Sequence, residues 1–194
     1  MELKTLTPYG FASNTYLLTN ERGSIVVDPG EKKVVSRLKE LGVAPDYVLL
    51  THAHFDHVGG VAVLQRQGAK VGCLAEEAPY MIGGKALVGF GLNFETFTPD
   101  FTFGEGEIEL LGEKIFVYAT PGHTVGGCAY LIDGKLFTGD TLFRESYGRT
   151  DLPTGDTRQL FSSLKKLLSL QGDYPVYPGH GEPTALSHER KFYS

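Results

Sequence analysis

Thr51-His52-Ala53-His54-Phe55-Asp56-His57 is the stretch on which the reading of this chain turns. Three histidines and an aspartate fall directly after the apolar run Tyr47-Val48-Leu49-Leu50. In an extended strand His52 and His54 would share a face and His57 would point away. In a loop turning into a helix all four side chains can converge on one small volume. The following periodicity, Val58, Val61 and Leu64, predicts such a helix from near Asp56 to Gln67, through Gly59-Gly60. Imidazole and carboxylate together suit Zn²⁺, Mn²⁺ or Fe²⁺.

The same design recurs further along. Thr120-Pro121-Gly122-His123-Thr124, Phe137-Thr138-Gly139-Asp140-Thr141 and Tyr177-Pro178-Gly179-His180-Gly181 each close an apolar run with a tight turn and then a His or Asp. Residues just past strand ends line the rim of a sheet, where α/β proteins build their sites. Taken singly, His123 or His180 reads as an ordinary core or surface histidine, and Asp56 as a helix cap. Of the 6 histidines, however, only His188 falls outside the pattern, and it reads as structural. Together the residues predict a metal site. Glycine numbers 25 of 194, nearly twice the usual share of about 7%, and Gly122, Gly139 and Gly179 account for part of that excess.

Strands are expected at Thr15–Leu18, Ser24–Val27, Tyr47–Leu50, Lys114–Tyr118, Cys128–Ile132, Lys135–Thr138 and Pro175–Tyr177, from β-branched and aromatic content bounded by Gly, Asp or Pro. Val34, Leu38 and Leu41 mark one amphipathic helix. Leu160, Phe161, Leu164, Leu167 and Leu168 mark a second, with Asp156 and Gln159 as its capping pair. Tyr16–Asp28 and Tyr130–Asp140 echo one another: strand, turn, strand, aspartate. The mixture predicts a layered α/β fold, and no linker interrupts residues 1–194, which are read as a single domain. A net charge of −5 argues against a nucleic-acid partner. No apolar run approaches a membrane span, and Met1–Thr5 carries no basic-then-apolar leader. With Cys73 and Cys128 as the 2 cysteines, the expectation is a reduced, cytoplasmic protein rather than a disulfide scaffold.

The H-x-H-x-D-H motif at His52, His54, Asp56 and His57, followed by His123, Asp140 and His180, resembles the metallo-β-lactamase-fold superfamily. Gly139-Asp140-Thr141-Leu142-Phe143 with Gly148-Arg149-Thr150-Asp151 is similar to the glyoxalase II group of hydroxyacylglutathione hydrolases, most closely to their short single-domain bacterial relatives. The resemblance implies a four-layer αβ/βα sandwich. It implies two divalent metals, Zn²⁺ first with Fe²⁺ or Mn²⁺ as alternatives. His52, His54 and His123 would hold one, Asp56, His57 and His180 the other, and Asp140 would bridge them. Asp56 and Asp140 would then hold a metal-bridging hydroxide. Two divalent ions, two carboxylates and a hydroxide leave roughly +1, a charge suited to a thioester whose thiolate departs unprotonated. Asp28 would bond a ligand loop, or simply end a strand before Pro29. Thr51 and Thr124 would support ligands from behind. Arg149, and more weakly Tyr147, would face the anionic substrate; an ordinary surface arginine is the other reading. Met81–Leu92 reads as a flap or as a loop packed on the core. About fourteen residues after His180 leave no room for the helical glutathione-binding domain of the longer enzymes. The expected substrate is a small anionic thioester or related acyl compound, with the oligomeric state left open. The alternatives are a mononuclear-iron persulfide dioxygenase using His52, His123 and Asp140, a lactone or other ester hydrolase, and a metal-binding domain without activity.

Overall fold

The apolar run Tyr47–Leu50 forms a central strand because both its faces are covered: Val48, Leu49 and Leu50 have no exposed surface. A run that is apolar throughout, not alternating, marks a parallel strand buried on both sides. In the computed structural model, which describes residues 1–8, 10–81 and 95–194, the chain divides into two compact units, Met1–Phe103 and Gly104–Ser194.

The first unit runs β1 (Glu2–Leu6), β2 (Thr15–Asn20), β3 (Gly23–Val27), α1 (Lys33–Glu40), β4 (Tyr47–Leu50), α2 (Phe55–Val58), α3 (Val61–Arg66), β5 (Lys70–Leu74) and β6 (Phe101–Phe103). Its sheet has the order β1-β2-β3-β4-β5-β6, antiparallel over the first three strands and parallel from β3 to β6. Val34 and Leu38 of α1 and Val61 and Leu64 of α3 are buried with Val26, Val48 and Val71 in one core.

The second unit runs β7 (Gly106–Leu110), β8 (Glu113–Ala119), β9 (Cys128–Ile132), β10 (Lys135–Gly139), β11 (Leu142–Phe143), β12 (Ser146–Tyr147), α4 (Thr157–Leu168), β13 (Pro175–Pro178), β14 (Thr184–Ala185) and α5 (Leu186–Phe192). Its main sheet has the order β14-β13-β10-β9-β8-β7. β8 and β10 are each antiparallel to β9, and β13 is parallel to β10, so β8, β10 and β13 run the same way. The expected capping pair is present: the Asp156 carboxylate accepts from Gln159 N at 2.9 Å and starts α4. Leu160, Leu164 and Leu167 are buried as the periodicity requires, whereas Phe161 is half exposed and its ring meets Tyr147. The echo between the two stretches is topological. β2–β3 and β9–β10 are both antiparallel hairpins, and each second strand pairs in parallel with the next strand of its sheet.

The single helix expected from Asp56 to Gln67 is two helices, broken at Gly59-Gly60. The cause is a close backbone approach. Gly60 N donates to Pro29 O at 2.7 Å, and a Cβ on residue 59 would stand 2.4 Å from Gly30 O. Leu41, expected on the apolar face of α1, lies just past its end and is partly exposed. Of the segment Met81–Leu92, Met81 is buried and residues 82–92 lie outside the described residues.

Gly59→Ala separates two opposing effects. Helix propensity alone would favour alanine by about 1 kcal/mol, since Gly59 has ordinary helical dihedrals. The clash with the Gly30 backbone outweighs it, and the net effect is a loss of about 1–3 kcal/mol. Urea denaturation should show a lower midpoint at unchanged slope; an equal or higher midpoint would refute the packing argument.

Candidate functional site

β3, β4 and β5 lie side by side and parallel, so their C-terminal ends open on one edge of the first unit's sheet. Asp28 follows β3, Thr51 follows β4, and Glu77 follows β5 by three residues. Asp28 has a left-handed backbone, φ 49°, a conformation aspartate tolerates better than most residues. Its N–H donates to Leu49 O at 3.1 Å and its carbonyl accepts from Thr15 Oγ1 at 2.8 Å, so the carboxylate is presented from a fixed base.

That carboxylate is buried and accepts three hydrogen bonds. Thr51 N donates to Oδ1 at 2.8 Å; Thr51 Oγ1 at 2.6 Å and His57 Nδ1 at 2.9 Å donate to Oδ2. The order of the protons is then set. The Thr51 hydroxyl proton is spent on Asp28, so the oxygen accepts from His52 Nδ1, 3.0 Å away. In their neutral form His52 and His57 therefore both carry their proton on Nδ1, which leaves the Nε2 lone pair available. His52 Nε2 lies 3.1 Å from His54 Nδ1 in a buried setting. Either a proton on His54 or a cation shared by both nitrogens satisfies that contact. Two nitrogens on one tetrahedral zinc stand about 3.3 Å apart, so the spacing suits the cation. Donor atoms of Asp56 and His57 also lie within 4.8 Å of each other.

In the second unit the common direction of β8, β10 and β13 brings His123, Asp140 and His180 past the same sheet edge. Asp140 Oδ2 lies 3.5 Å from His123 Nε2 and 3.5 Å from His180 Nε2. Gly179 N donates to Gly139 O at 2.8 Å and ties the two turns together. Gly122, at φ 133°, packs so tightly on α4 that a Cβ there would meet Leu160 N at 2.1 Å. His123 Nδ1 donates to the main-chain oxygen of Arg149 at 2.7 Å, so here too Nε2 keeps its lone pair. Buried imidazoles tied at Nδ1 to acceptors, alongside carboxylates, form a donor set that fits divalent metal ions.

The remaining predicted residues stand apart. The Arg149 guanidinium is exposed and clasps its own Asp151 through Nε and an Nη, each at 2.7 Å. That pairing pulls the Asp151 carboxyl down to about 2. Thr124 is buried, its carbonyl accepting from Gly122 N, and among the described residues its hydroxyl meets no hydrogen-bond partner. Tyr147 is partly exposed against Phe161. His188 lies on α5, with Nε2 at 2.8 Å from Glu145 Oε1. One residue the sequence reading passed over is Glu77, a fully buried carboxylate that accepts from Ala53 N at 2.8 Å, between His52 and His54. Burial, aided by Glu77, pushes the neighbouring Cys73 thiol up to about 12.

Residues 8–180 match the model of the metallo-beta-lactamase superfamily. The chain belongs to that superfamily. This metallo-beta-lactamase-fold chain is 34% identical over 203 residues to the hydroxyacylglutathione hydrolase GloC of Haemophilus influenzae, covering 98% of this chain and 96% of that one. A longer hydroxyacylglutathione hydrolase from Aliivibrio salmonicida is 39% identical over 163 residues, but the chain spans only 58% of its length. Among solved structures, the BLEG-1 B3 metallo-beta-lactamase superposes at TM-score 0.87 with 31% identity, over 98% of this chain and 97% of that one. TTHA1623, solved in a di-iron-bound form, gives 0.84 at 37% over 99% and 98%. ETHE1 from Myxococcus xanthus gives 0.79 at 28% over 99% and 83%. The fold class is thus the α/β sandwich of the metallo-beta-lactamase superfamily.

Asp28→Asn breaks the hydrogen-bond order at its origin, because an amide nitrogen in place of Oδ2 accepts neither from Thr51 Oγ1 nor from His57 Nδ1. Zinc affinity, measured by competition with a chromogenic chelator, should fall about 10–100-fold. Wild-type affinity in that variant would sink the assignment of tautomers through Asp28.

Proposed function

We propose that this metal-dependent hydrolase holds two divalent ions, zinc by preference, and cleaves small anionic thioesters of the hydroxyacylglutathione type. The observation that carries the reading is the hydrogen-bond arrangement: Nδ1 of His52, His57 and His123 in each case meets an acceptor, which in the neutral ring leaves the Nε2 lone pair for a metal. In this reading His52, His54 and His123 bind one ion, and Asp56, His57 and His180 the other. Asp140, whose Oδ2 is equidistant from His123 and His180, serves both. Ions held there would lower the pKa of a bound water to about 7 and draw charge from a carbonyl oxygen.

The chain's own residues do the rest. Asp28 and Thr51 keep His52 and His57 in one tautomer, so the ligands need no proton rearrangement when a cation binds. Asp56 and Asp140 orient the attacking water through their carboxylates. Arg149 offers a guanidinium to an anionic substrate group, in competition with Asp151. The names borne by the curated relatives support the thioester, whose thiolate leaves without needing a proton.

A second reading is a mononuclear-iron persulfide dioxygenase on His52, His123 and Asp140; the di-iron-bound form of TTHA1623 supports the choice of iron but not the single ion. A lactone or other ester hydrolase would use the same residues. No helix among the described residues is long and apolar enough to cross a membrane. The net charge of −5 speaks against nucleic acid, and two buried free cysteines support placement in a reducing cytoplasm.

Metal content per chain, paired with thiol release from S-lactoylglutathione, decides among these. Two ions per chain are expected, with thiol release abolished by chelation and restored by zinc. One iron per chain with oxygen uptake on glutathione persulfide would replace the hydrolase reading, and lactone turnover without thiol release would change the acyl class.

Arg149→Ala removes the guanidinium but keeps the main-chain oxygen that orients His123. KM for S-lactoylglutathione should rise about 10-fold, since a hydrogen bond to a charged group contributes about 1.5 kcal/mol or more. Metal content should not change. An unaltered KM would return Arg149 to an ordinary surface role.

A further inference from the structure

Glu77 is a fully buried carboxylate that the chemistry above leaves without a task. It lies after β5 in a short turn, where Glu77 N donates to Leu74 O at 3.0 Å and Tyr80 N donates to Glu77 O at 3.0 Å. The side chain has no exposed surface. Placing a carboxylate there is costly unless its oxygens are met by donors. One donor is the N–H of Ala53, at 2.8 Å. Ala53 is the residue between His52 and His54, and it too is fully buried.

At Thr51–Ala53 the backbone has left the strand, although His54 returns to a single β-bridge. β4 ends at Leu50, and α2 begins only at Phe55. Its amides therefore need acceptors from elsewhere. Thr51 N takes the Asp28 carboxylate and Ala53 N takes the Glu77 carboxylate. The two acceptors come from just beyond the strands flanking β4 on either side, β3 and β5. The segment is thus held at alternate amides by two carboxylates, and the histidine on each side of Ala53 inherits that position. Among the described residues Glu77 belongs to no group of donors close enough to hold a metal ion, and its hydrogen bond to Ala53 N ties it to the backbone of the segment.

We propose that Glu77 is a positioning residue for metal binding, fixing the His52–His54 segment through the Ala53 amide so that the two imidazole nitrogens stay at ligand spacing. This rests on the reading that His52 and His54 are metal ligands. The alternative is a purely structural acid that anchors the turn after β5 and leaves the ligands indifferent to its loss.

The test uses the full-length chain, stripped of metal and titrated with Zn²⁺ against a chelator and with Co²⁺ by its visible d–d absorption. Glu77→Ala should weaken Zn²⁺ binding about 10–100-fold, as loss of a supporting contact behind a ligand does, and should alter the Co²⁺ band shape. Glu77→Gln keeps an acceptor oxygen in the same place and should bind within about 3-fold of wild type, well short of that loss. Glu77→Asp withdraws the oxygen by one methylene and should fall between. Should Glu77→Ala fail to fold by circular dichroism, the Gln and Asp variants carry the test, with Gln the tighter binder. Wild-type affinity and spectrum in a folded Glu77→Ala would overturn the proposal. So would a Gln variant as weak as the Ala variant, because charge and not the bond to Ala53 would then be responsible. A wild-type chain that binds neither Zn²⁺ nor Co²⁺ would instead overturn the ligand reading beneath it.

Discussion

The Asp28 carboxylate is the contact on which the first unit's chemistry depends. It is buried, it sits at the end of β3 on a left-handed residue, and it takes three donors from the segment after β4. Each of those bonds has a distinct consequence. The bond from Thr51 N fixes where the chain leaves the strand. The bond from Thr51 Oγ1 turns that hydroxyl into an acceptor for His52, and the bond from His57 Nδ1 sets the second ring directly. A single side chain thereby holds one imidazole directly at Nδ1 and a second through the Thr51 hydroxyl.

This control is possible because of strand direction. β3, β4 and β5 are parallel, so the residues just beyond each of them arrive at the same edge, and Val27 pairs with Leu49 as Leu50 pairs with Cys73. In the second unit the sheet is mixed, yet β8, β10 and β13 again share a direction, and His123, Asp140 and His180 come after them. The recurring pattern of apolar run, tight turn and polar residue is the sequence trace of this arrangement. Its glycines serve close approach: a Cβ at Gly148 would meet Asp140 O at 1.9 Å, so the chain after β12 can cross directly over the Asp140 turn.

Those residues were readable from the sequence because each is chemically distinctive and stands just past an apolar run. Asp28 was readable only through the echo between the two hairpins. The elements that escaped reading did so for physical reasons. β1, β6, β7 and β14 are edge strands or nearly so, short and largely exposed, and they carry no continuous apolar run. β5 was hidden by Gly72, whose missing side chain is replaced in space by the Phe101 ring. The break at Gly59-Gly60 depends on Pro29 and Gly30, which no local periodicity can report. The contribution of Arg149 to His123 runs through a main-chain oxygen, which every residue type possesses. Glu76-Glu77 looks like a solvated acidic pair, and only the β4–β5 pairing brings Glu77 to Ala53, 24 residues away.

The use of carboxylates at both amides, where a ladder carbonyl would serve elsewhere, reflects the geometry the segment must reach. A strand partner would hold Thr51 and Ala53 in extended geometry, with His57 directed away from His52 and His54. Side-chain acceptors satisfy the same N–H groups while leaving the dihedrals free to turn, and in the observed turn the His52 and His57 rings lie 4.0 Å apart, centroid to centroid. At His57 the Asp28 carboxylate also places negative charge directly behind an imidazole, which raises the basicity of the opposite ring nitrogen. An amide acceptor in place of Asp28 would meet the first need and not the second. The cost of burying Asp28 and Glu77 is offset by the backbone donors that each carboxylate accepts, Thr51 N and Ala53 N.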